Sequence, residues 1–158
     1  RENRDIPPLD YAIVFRLKRR LPHLPISING GIASIEAAQA LLGEREGVTL
    51  DGVMLGRAAY QSPALLLDVD SAIFGVEQPA ETALDALRRF RPYVAARLDE
   101  GVPLHAMTRH VLGLFQATPG ARQFRRHLST EGVKKGAGLA VLDAAIEIVG
   151  NAAERRAA

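Results

Sequence analysis

Two short apolar runs that end in glycine stand out along this chain. The first covers residues 25–32, and the second covers residues 50–57. Each run is shorter than a buried helix and is followed by residues with helical spacing, so each predicts a strand that leads through a glycine loop into a helix. Repeated units of this kind predict parallel strands in one sheet. They match the last two strand–helix units of a (β/α)8 barrel, also called a TIM barrel.

Helical periodicity flanks both predicted strands. Residues 10–20 predict an amphipathic helix. Its expected apolar side holds Ile13, Val14, Leu17 and Leu21. Ser34 predicts the N-cap of a second helix. The second strand, residues 51–55, is largely apolar, as is typical of a strand buried on both faces of a parallel sheet.

The second half of the chain is helical by pattern. Ser62–Pro63 predicts the start of a helix that runs to about Phe74, and Gly75–Ala80 predicts a domain boundary. Beyond it, apolar residues predict a helix through Leu98, which Pro92 is expected to kink or split. Further helices are predicted over 104–116, 119–128 and about 131–149, followed by a frayed tail.

These patterns predict an α/β chain with two domains. Residues 1–75 would hold the last units of an incomplete TIM barrel, and residues 76–158 an all-α helical domain. Two strands cannot close a barrel and keep unpaired edges, so the first part is not expected to be a stable barrel alone. The first residue is Arg rather than Met, and we expect the chain to continue a longer protein.

Composition narrows the class of protein. The chain has 158 residues, is 47% hydrophobic and 24% charged, and contains no cysteine. Disulfides, cysteine metal ligands and a cysteine nucleophile are therefore excluded within these residues. No apolar run is long enough for a membrane span, and no secretory leader pattern is present, so we expect a cytoplasmic protein without a membrane partner.

The charge is unevenly distributed. Residues 102–135 hold six basic residues and one acidic residue, whereas residues 36–100 hold six basic and eleven acidic residues. Such segregation favours a polyanion as partner of the basic segment. Ordinary charge on solvated helix faces is the alternative.

The loops after the two predicted strands are candidates for binding phosphate. Asn29, Gly30 and Gly31 follow the first strand, and Gly56 and Arg57 follow the second. Glycine allows close approach of a ligand to backbone N–H groups, and arginine matches phosphate with a bidentate fork. The alternatives are a tight turn without a ligand and a salt bridge at the barrel rim. Together the loops favour a phosphate site, because barrels often build one after the last two strands.

A second candidate site lies on the helix predicted from residue 119. Arg122, Arg125 and Arg126 share one helical face, while Phe124 is expected to pack inward. Such a basic ridge suits a nucleic-acid backbone, and a solvated face is the alternative. We expect His110 to be a packing residue, and neither His105 nor His127 has the spacing of a metal ligand, so no metal site is predicted.

Four segments together resemble the tRNA-dihydrouridine synthases, in their A-type subfamily. They are residues 2–9, 28–32, 51–60 and 108–126. The last segment, which begins Thr108-Arg109-His110, is the most specific. The resemblance implies a flavin enzyme that uses FMN and NADPH to reduce the 5,6 double bond of a uridine in tRNA.

The resemblance also implies roles for individual residues. The FMN phosphate would be held by Asn29, Gly30, Gly31, Gly56 and Arg57. The tRNA would be contacted by Arg1, Arg4, Arg122 and Arg125. The family's catalytic cysteine, and the lysine and histidine that hold its flavin, belong to the N-terminal barrel half, which this sequence lacks. We therefore expect a C-terminal part that is inactive alone.

Two other interpretations remain open from the sequence. One is an FMN-binding or sugar-phosphate-binding barrel enzyme that acts on a small molecule. It shares the phosphate site but leaves the basic helical part unexplained. The other is a stand-alone helical RNA-binding module, which would bind RNA without flavin.

Overall fold

A computed structural model describes residues 9–157 of the chain, and their side chains as far as Arg155. The described part divides into two compact units, within residues 1–59 and 60–158. Arg1 and Arg4, for which tRNA contacts are predicted, lie outside the described residues. None of the described helices is long and apolar enough to cross a membrane.

The first unit is built around two short parallel strands. Its elements are α1 (Tyr11–Arg20), β1 (Ser27–Asn29), α2 (Ile35–Leu42) and β2 (Gly52–Met54). The strands pair in parallel, with Ile28 opposite Val53, which confirms the strand–loop–helix prediction. Ser34 is the predicted N-cap of α2, since its hydroxyl accepts a hydrogen bond of 3.1 Å from the N–H of Ala37.

Two burial predictions for the first unit are wrong. The side of α1 that faces the small core carries Phe15 and Val14, whereas Ile13 and Leu17 are 57% and 47% exposed. Phe15 belongs to the buried cluster around Ile28, and the other apolar side of α1 lies outside that cluster. β2 is not buried on both faces, because Met54 at its end is 52% exposed. Within the described part of the chain, β2 pairs with β1 alone.

One carboxylate ties the first unit together at the N-terminal end of its strands. Asp51 accepts a hydrogen bond of 2.7 Å from the N–H of Ile26 and forms an ion pair of 2.8 Å with Lys18 of α1. The hydrogen bond from Lys18, and then that from Ile26, lower the pKa of Asp51 below its ordinary value of 3.8. The contact fixes α1 against both strands.

The second unit is helical and has a continuous core. Its elements after α3 (Arg57–Gln61), which crosses the division, are a 3-10 helix (Pro63–Asp68), α4 (Val69–Phe74), α5 (Ala83–Asp99), α6 (Leu104–Thr108), α7 (Ala121–Glu131) and α8 (Leu139–Ala157). The largest fully buried side chains of this core are Phe124, Leu87, Leu104, Leu128, Leu142 and Val94. The helix predicted through Leu98 is present as α5, and its apolar residues Leu87 and Val94 are buried.

Several helix boundaries differ from those predicted. Pro92 does not split α5, which runs unbroken from Ala83 to Asp99. α6 ends at Thr108, well before the expected end at 116. The hydroxyl of Thr108 donates a hydrogen bond of 3.2 Å to the carbonyl of Leu104, one turn earlier in α6. The tail is helical rather than frayed, since α8 continues to Ala157.

Residues 60–75 lie with the helical unit in this structure. Ala64 packs against its core, and Pro63 and Leu66 line the same cavity of about 310 Å³ as Leu87 and Phe90. Ser62 makes no capping hydrogen bond through its side chain, and the turn that follows is a 3-10 helix rather than the start of a regular helix. The division between the units therefore precedes the domain boundary predicted at 75, and the membership of residues 60–75 in a barrel stays a prediction.

Candidate functional site

The two glycine loops lie at the same edge of the parallel sheet. Asn29 is the last residue of β1 and stands opposite Met54, the last residue of β2. Since the strands run in one direction, the loops that follow them leave from their shared carboxyl end. This is where parallel α/β sheets bind their ligands.

Gly30 and Gly31 are required by the chain itself. Their φ angles are +122° and +62°, which side chains rarely adopt. A Cβ on Gly30 would come within 2.9 Å of the Leu9 side chain, and the Tyr11 hydroxyl donates a hydrogen bond to the Gly30 carbonyl. The turn and its packing therefore account for both glycines without a ligand.

Gly56 has no such requirement. Its backbone is outside the left-handed region, and the nearest atom to a Cβ placed there would be Met54 Cε at 3.7 Å, an ordinary contact. Arg57 follows as the first residue of α3, is exposed, and has no ion pair among the described residues. Space beside a glycine next to an uncompensated arginine is the arrangement that an approaching phosphate group uses.

The basic face predicted on α7 is present. Phe124 is fully buried and meets Phe115 edge to face, with ring centroids 4.9 Å apart. The inward ring leaves the three arginines exposed, at Arg122, Arg125 and Arg126. None of them has an ion pair within residues 9–155, and residues 101–130 contain no Asp or Glu. The face therefore carries uncompensated positive charge.

Gly120 fixes how α7 packs. It caps α7 with a φ of +82°, and a Cβ there would lie 3.0 Å from the Cβ of Ala152 and 3.3 Å from the carbonyl oxygen of Ile148, both on α8. The close approach of these helices therefore needs glycine at this position. It holds the start of α7, and so the basic face, at a fixed place on the unit.

The histidines have structural or surface positions. His127 Nε2 lies 3.0 Å from the carbonyl oxygen of Val141, which joins α7 to α8. No group of three or more His, Asp or Glu in the described part of the chain is arranged to hold a metal ion. His110 is exposed rather than packed in the core, contrary to expectation. Its ring meets that of Tyr60 edge to face, 5.8 Å between centroids.

Sequence reasoning missed the contact between Tyr60 and His110. Both residues stand in segments that carry the family resemblance, but the segments are far apart in the sequence and no periodicity links them. The structure also places Arg109 Nε 3.0 Å from His110 Nε2. These three residues thus form one cluster, which we call the Tyr60 cluster.

The chain has an exposed arginine at the carboxyl edge of its parallel strands, and it also has a helix with uncompensated positive charge. Together these features are expected of a protein that binds anionic ligands. Comparison with known proteins makes the class specific. The family model described as dihydrouridine synthase (Dus) matches residues 1–150. The chain belongs to the dihydrouridine synthase family, which confirms the family that the sequence predicted.

Individual relatives carry the same family name. The chain is 49% identical over 146 residues to the tRNA-dihydrouridine(20/20a) synthase of Vibrio cholerae, a match covering 92% of this chain and 43% of the relative. It is 49% identical over 149 residues to the protein of the same name in Salmonella typhimurium, covering 94% of this chain and 43% of that relative. The Escherichia coli K12 protein is similar to the same degree, with 42% of its length covered. The chain thus spans about two-fifths of these relatives.

Proposed function

We propose that this chain is the C-terminal part of an A-type tRNA-dihydrouridine synthase, an oxidoreductase that reduces the 5,6 double bond of a uridine in tRNA with NADPH by way of FMN. The observation that carries the proposal is the 49% identity over 92% of the chain to the Vibrio cholerae tRNA-dihydrouridine(20/20a) synthase. On this proposal the βα units complete a TIM barrel with further strands, and the helical unit is the tRNA-binding domain.

The residues at the edge of the sheet suit the phosphate of FMN. Gly56 leaves the space, and Arg57 supplies a charge that no described residue neutralises. Leu9 already packs beside Gly30, so we assign the closest phosphate approach to Gly56 and Arg57. Asn29, Gly30 and Gly31 then form the opposite side of the site. The flavin, when bound, supplies the hydride for the reduction.

The catalytic thiol of the proposed reaction has to come from outside these residues. The chain contains no cysteine, so none of its residues can supply that thiol. What the chain contributes is therefore binding rather than proton transfer: phosphate at Gly56 and Arg57, and tRNA through its basic residues. We expect these 158 residues to show no turnover alone.

The basic face of α7 is suited to hold tRNA. Arg122 and Arg125 lie on it, exposed and without ion pairs among the described residues. Contacts of arginine with phosphates fix register and orientation on a nucleic acid without reading sequence. A uridine within folded tRNA has to leave its stack before its ring can be reduced, and a grip on the backbone holds the molecule while it does so. Arg1 and Arg4 are proposed to extend this grip.

The proposal is tested in a completed enzyme, in which this chain replaces the matching segment of the Vibrio cholerae relative. We expect the completed enzyme to retain flavin, to bind unmodified tRNA and to form dihydrouridine when NADPH is added. The 158-residue chain alone is the control and should give no dihydrouridine. Flavin retention without tRNA binding would support a small-molecule enzyme instead. RNA binding without flavin would support an RNA-binding module.

A further inference from the structure

The Tyr60 cluster is an exposed aromatic pair beside a cation. Tyr60 is 60% exposed, His110 is exposed as well, and their rings meet at 76°. The other edge-to-face pair of this unit, Phe115 with Phe124, is buried in the core. Burial of aromatic surface stabilises a fold, so the buried pair has a structural reason that the exposed pair largely lacks.

Arg109 gives the cluster a charge that remains available. It donates one hydrogen bond, from Nε to His110 Nε2. Arginine has five N–H donors, and Arg109 has no ion pair in the described part of the chain. His110 Nε2 is the acceptor of this bond, and the positive charge stays on the guanidinium.

The sequence around the cluster carries no acidic residue. Residues 101–130, which contain Arg109 and His110, hold no Asp or Glu, and neither do residues 52–67 around Tyr60. Rings with a π-face, next to an uncompensated guanidinium, combine the two chemistries that recognise an unpaired nucleotide: stacking on the base and attraction to its phosphate. An acidic peptide would use only the second.

We propose that Tyr60, Arg109 and His110 form an RNA-contact site of their own, where an unpaired tRNA base stacks on the rings and Arg109 contacts a neighbouring phosphate. The inference rests on the proposed function and adds to it a contact that differs in kind from the arginines of α7. Those arginines hold the backbone by charge alone, whereas the Tyr60 cluster binds a base that has left its stack.

The ring of Tyr60 is tested by substitution in the completed enzyme, with tRNA affinity as the readout. Tyr60→Ala should weaken binding about 5- to 150-fold, since stacking of one base contributes about 1–3 kcal/mol. Tyr60→Phe keeps the ring and should bind like the unchanged enzyme. Tyr93→Ala is the matched control, because Tyr93 is 53% exposed and stacks on Phe90, but the nearby Arg91 and Arg97 are already paired with carboxylates.

The charge of Arg109 is tested by salt dependence. Arg109→Ala should reduce the slope of log affinity against log salt by about 0.7–0.9, the value for one phosphate contact. Tyr60→Ala should leave that slope unchanged, because stacking releases no counterions. Arg97→Ala is the control for charge, since Arg97 is already paired with Glu100 at 2.5 Å and its loss should not change the slope.

Flavin content and thermal melting separate the possible outcomes. Weaker tRNA binding by Tyr60→Ala, with flavin content and melting unchanged, supports the site. Unchanged tRNA affinity in Tyr60→Ala overturns it and leaves the proposed function standing. If both Tyr60→Ala and Tyr60→Phe lose flavin or no longer show a cooperative thermal transition, the residue has a structural role, and this result also overturns the site. An unchanged enzyme that binds no tRNA overturns the proposed function, and the inference with it.

Discussion

The two units of this chain differ in how completely they bury their apolar side chains. The helical unit buries large side chains in a continuous core made from its own helices. The βα unit has a small core around Ile28 and Phe15 and leaves Ile13, Leu17 and Met54 exposed. Helices satisfy their backbone hydrogen bonds internally, whereas each strand needs a neighbour on both sides. We expect the helical unit to carry most of the stability of this chain, and the barrel proposed above would supply the strands that β1 and β2 do not find among the described residues.

The largest expected effect is on the helical core. Phe124→Ala removes a fully buried ring and should cost about 3–5 kcal/mol of the free energy of unfolding. Denaturation followed by circular dichroism at a helical wavelength measures it. Val133→Ala, at a side chain that is 59% exposed, is the control and should change little. A loss from Phe124→Ala no larger than that control would contradict the assignment of the core.

Shortening a buried side chain in the small core of the βα unit tests which unit carries the stability. Ile28 is also fully buried, and Ile28→Ala should cost about 2–5 kcal/mol where the βα unit is folded. If stability resides in the helical unit, most of the helical signal of the 158-residue chain should melt at the same temperature in this variant as in the unchanged chain. A common drop of the whole transition would show instead that the two units unfold as one.

The next effect concerns the phosphate edge. In the completed enzyme, Gly56→Ala should weaken FMN binding about 10- to 150-fold, as expected for the loss of one charge-assisted hydrogen bond of about 1.5–3 kcal/mol. Flavin absorbance after purification and titration with FMN measure it. Gly43→Ala is the matched control, because a Cβ added there would also have its nearest neighbour at 3.7 Å. Gly43 follows the last residue of α2, whereas the loop with Gly30 and Gly31 precedes the first residue of that helix. Equal flavin loss in both variants would show that the FMN phosphate does not lie against Gly56.

A smaller effect is expected on α7. Arg122→Ala and Arg125→Ala should each weaken tRNA binding and lower the salt slope by about 0.9 for each phosphate that is no longer neutralised. The flavin content should not change. A variant of either arginine that loses flavin would assign it to folding or to the cofactor rather than to tRNA.

The smallest effect is on the dependence of stability on pH. Hydrogen bonds from Lys18 and Ile26 lower the pKa of Asp51, and one from Arg91 lowers that of Asp143 in the helical unit. A lowered folded-state pKa means stability that is fully present above the unfolded value of about 4 and is lost as the pH falls through the folded value. Asp143→Asn should therefore flatten the stability profile below pH of about 4. An unchanged acid limb would show that the exposed pair contributes nothing.

The sequence was informative where local chemistry decides the structure. Ser34 was predictable as an N-cap, and Phe124 as a buried residue between exposed arginines, because a cap and a helical face need only neighbours in sequence. The outward turn of Ile13 was not predictable, since it depends on how Phe15 meets the strands. The short α6 was missed because the apolar pattern of the sequence continues beyond Thr108, where the helix ends.

In the candidate site, too, features set by neighbours in sequence were predictable and features set by tertiary contacts were not. Gly56 and Arg57 could be found from a strand pattern followed by a glycine. That Gly30 and Gly31 are required by Leu9 and by the turn is visible only in three dimensions. The Tyr60 cluster could not be assembled from the sequence, because a contact between distant segments leaves no periodic signal.

The most direct test of the account measures flavin content and tRNA affinity side by side in two variants of the completed enzyme. In Gly56→Ala, flavin should fall while tRNA affinity stays. In Arg122→Ala combined with Arg125→Ala, tRNA affinity should fall while flavin stays. This crossed result is expected if the βα unit holds the cofactor and the helical unit holds the tRNA. Parallel loss of both in either variant would contradict that division.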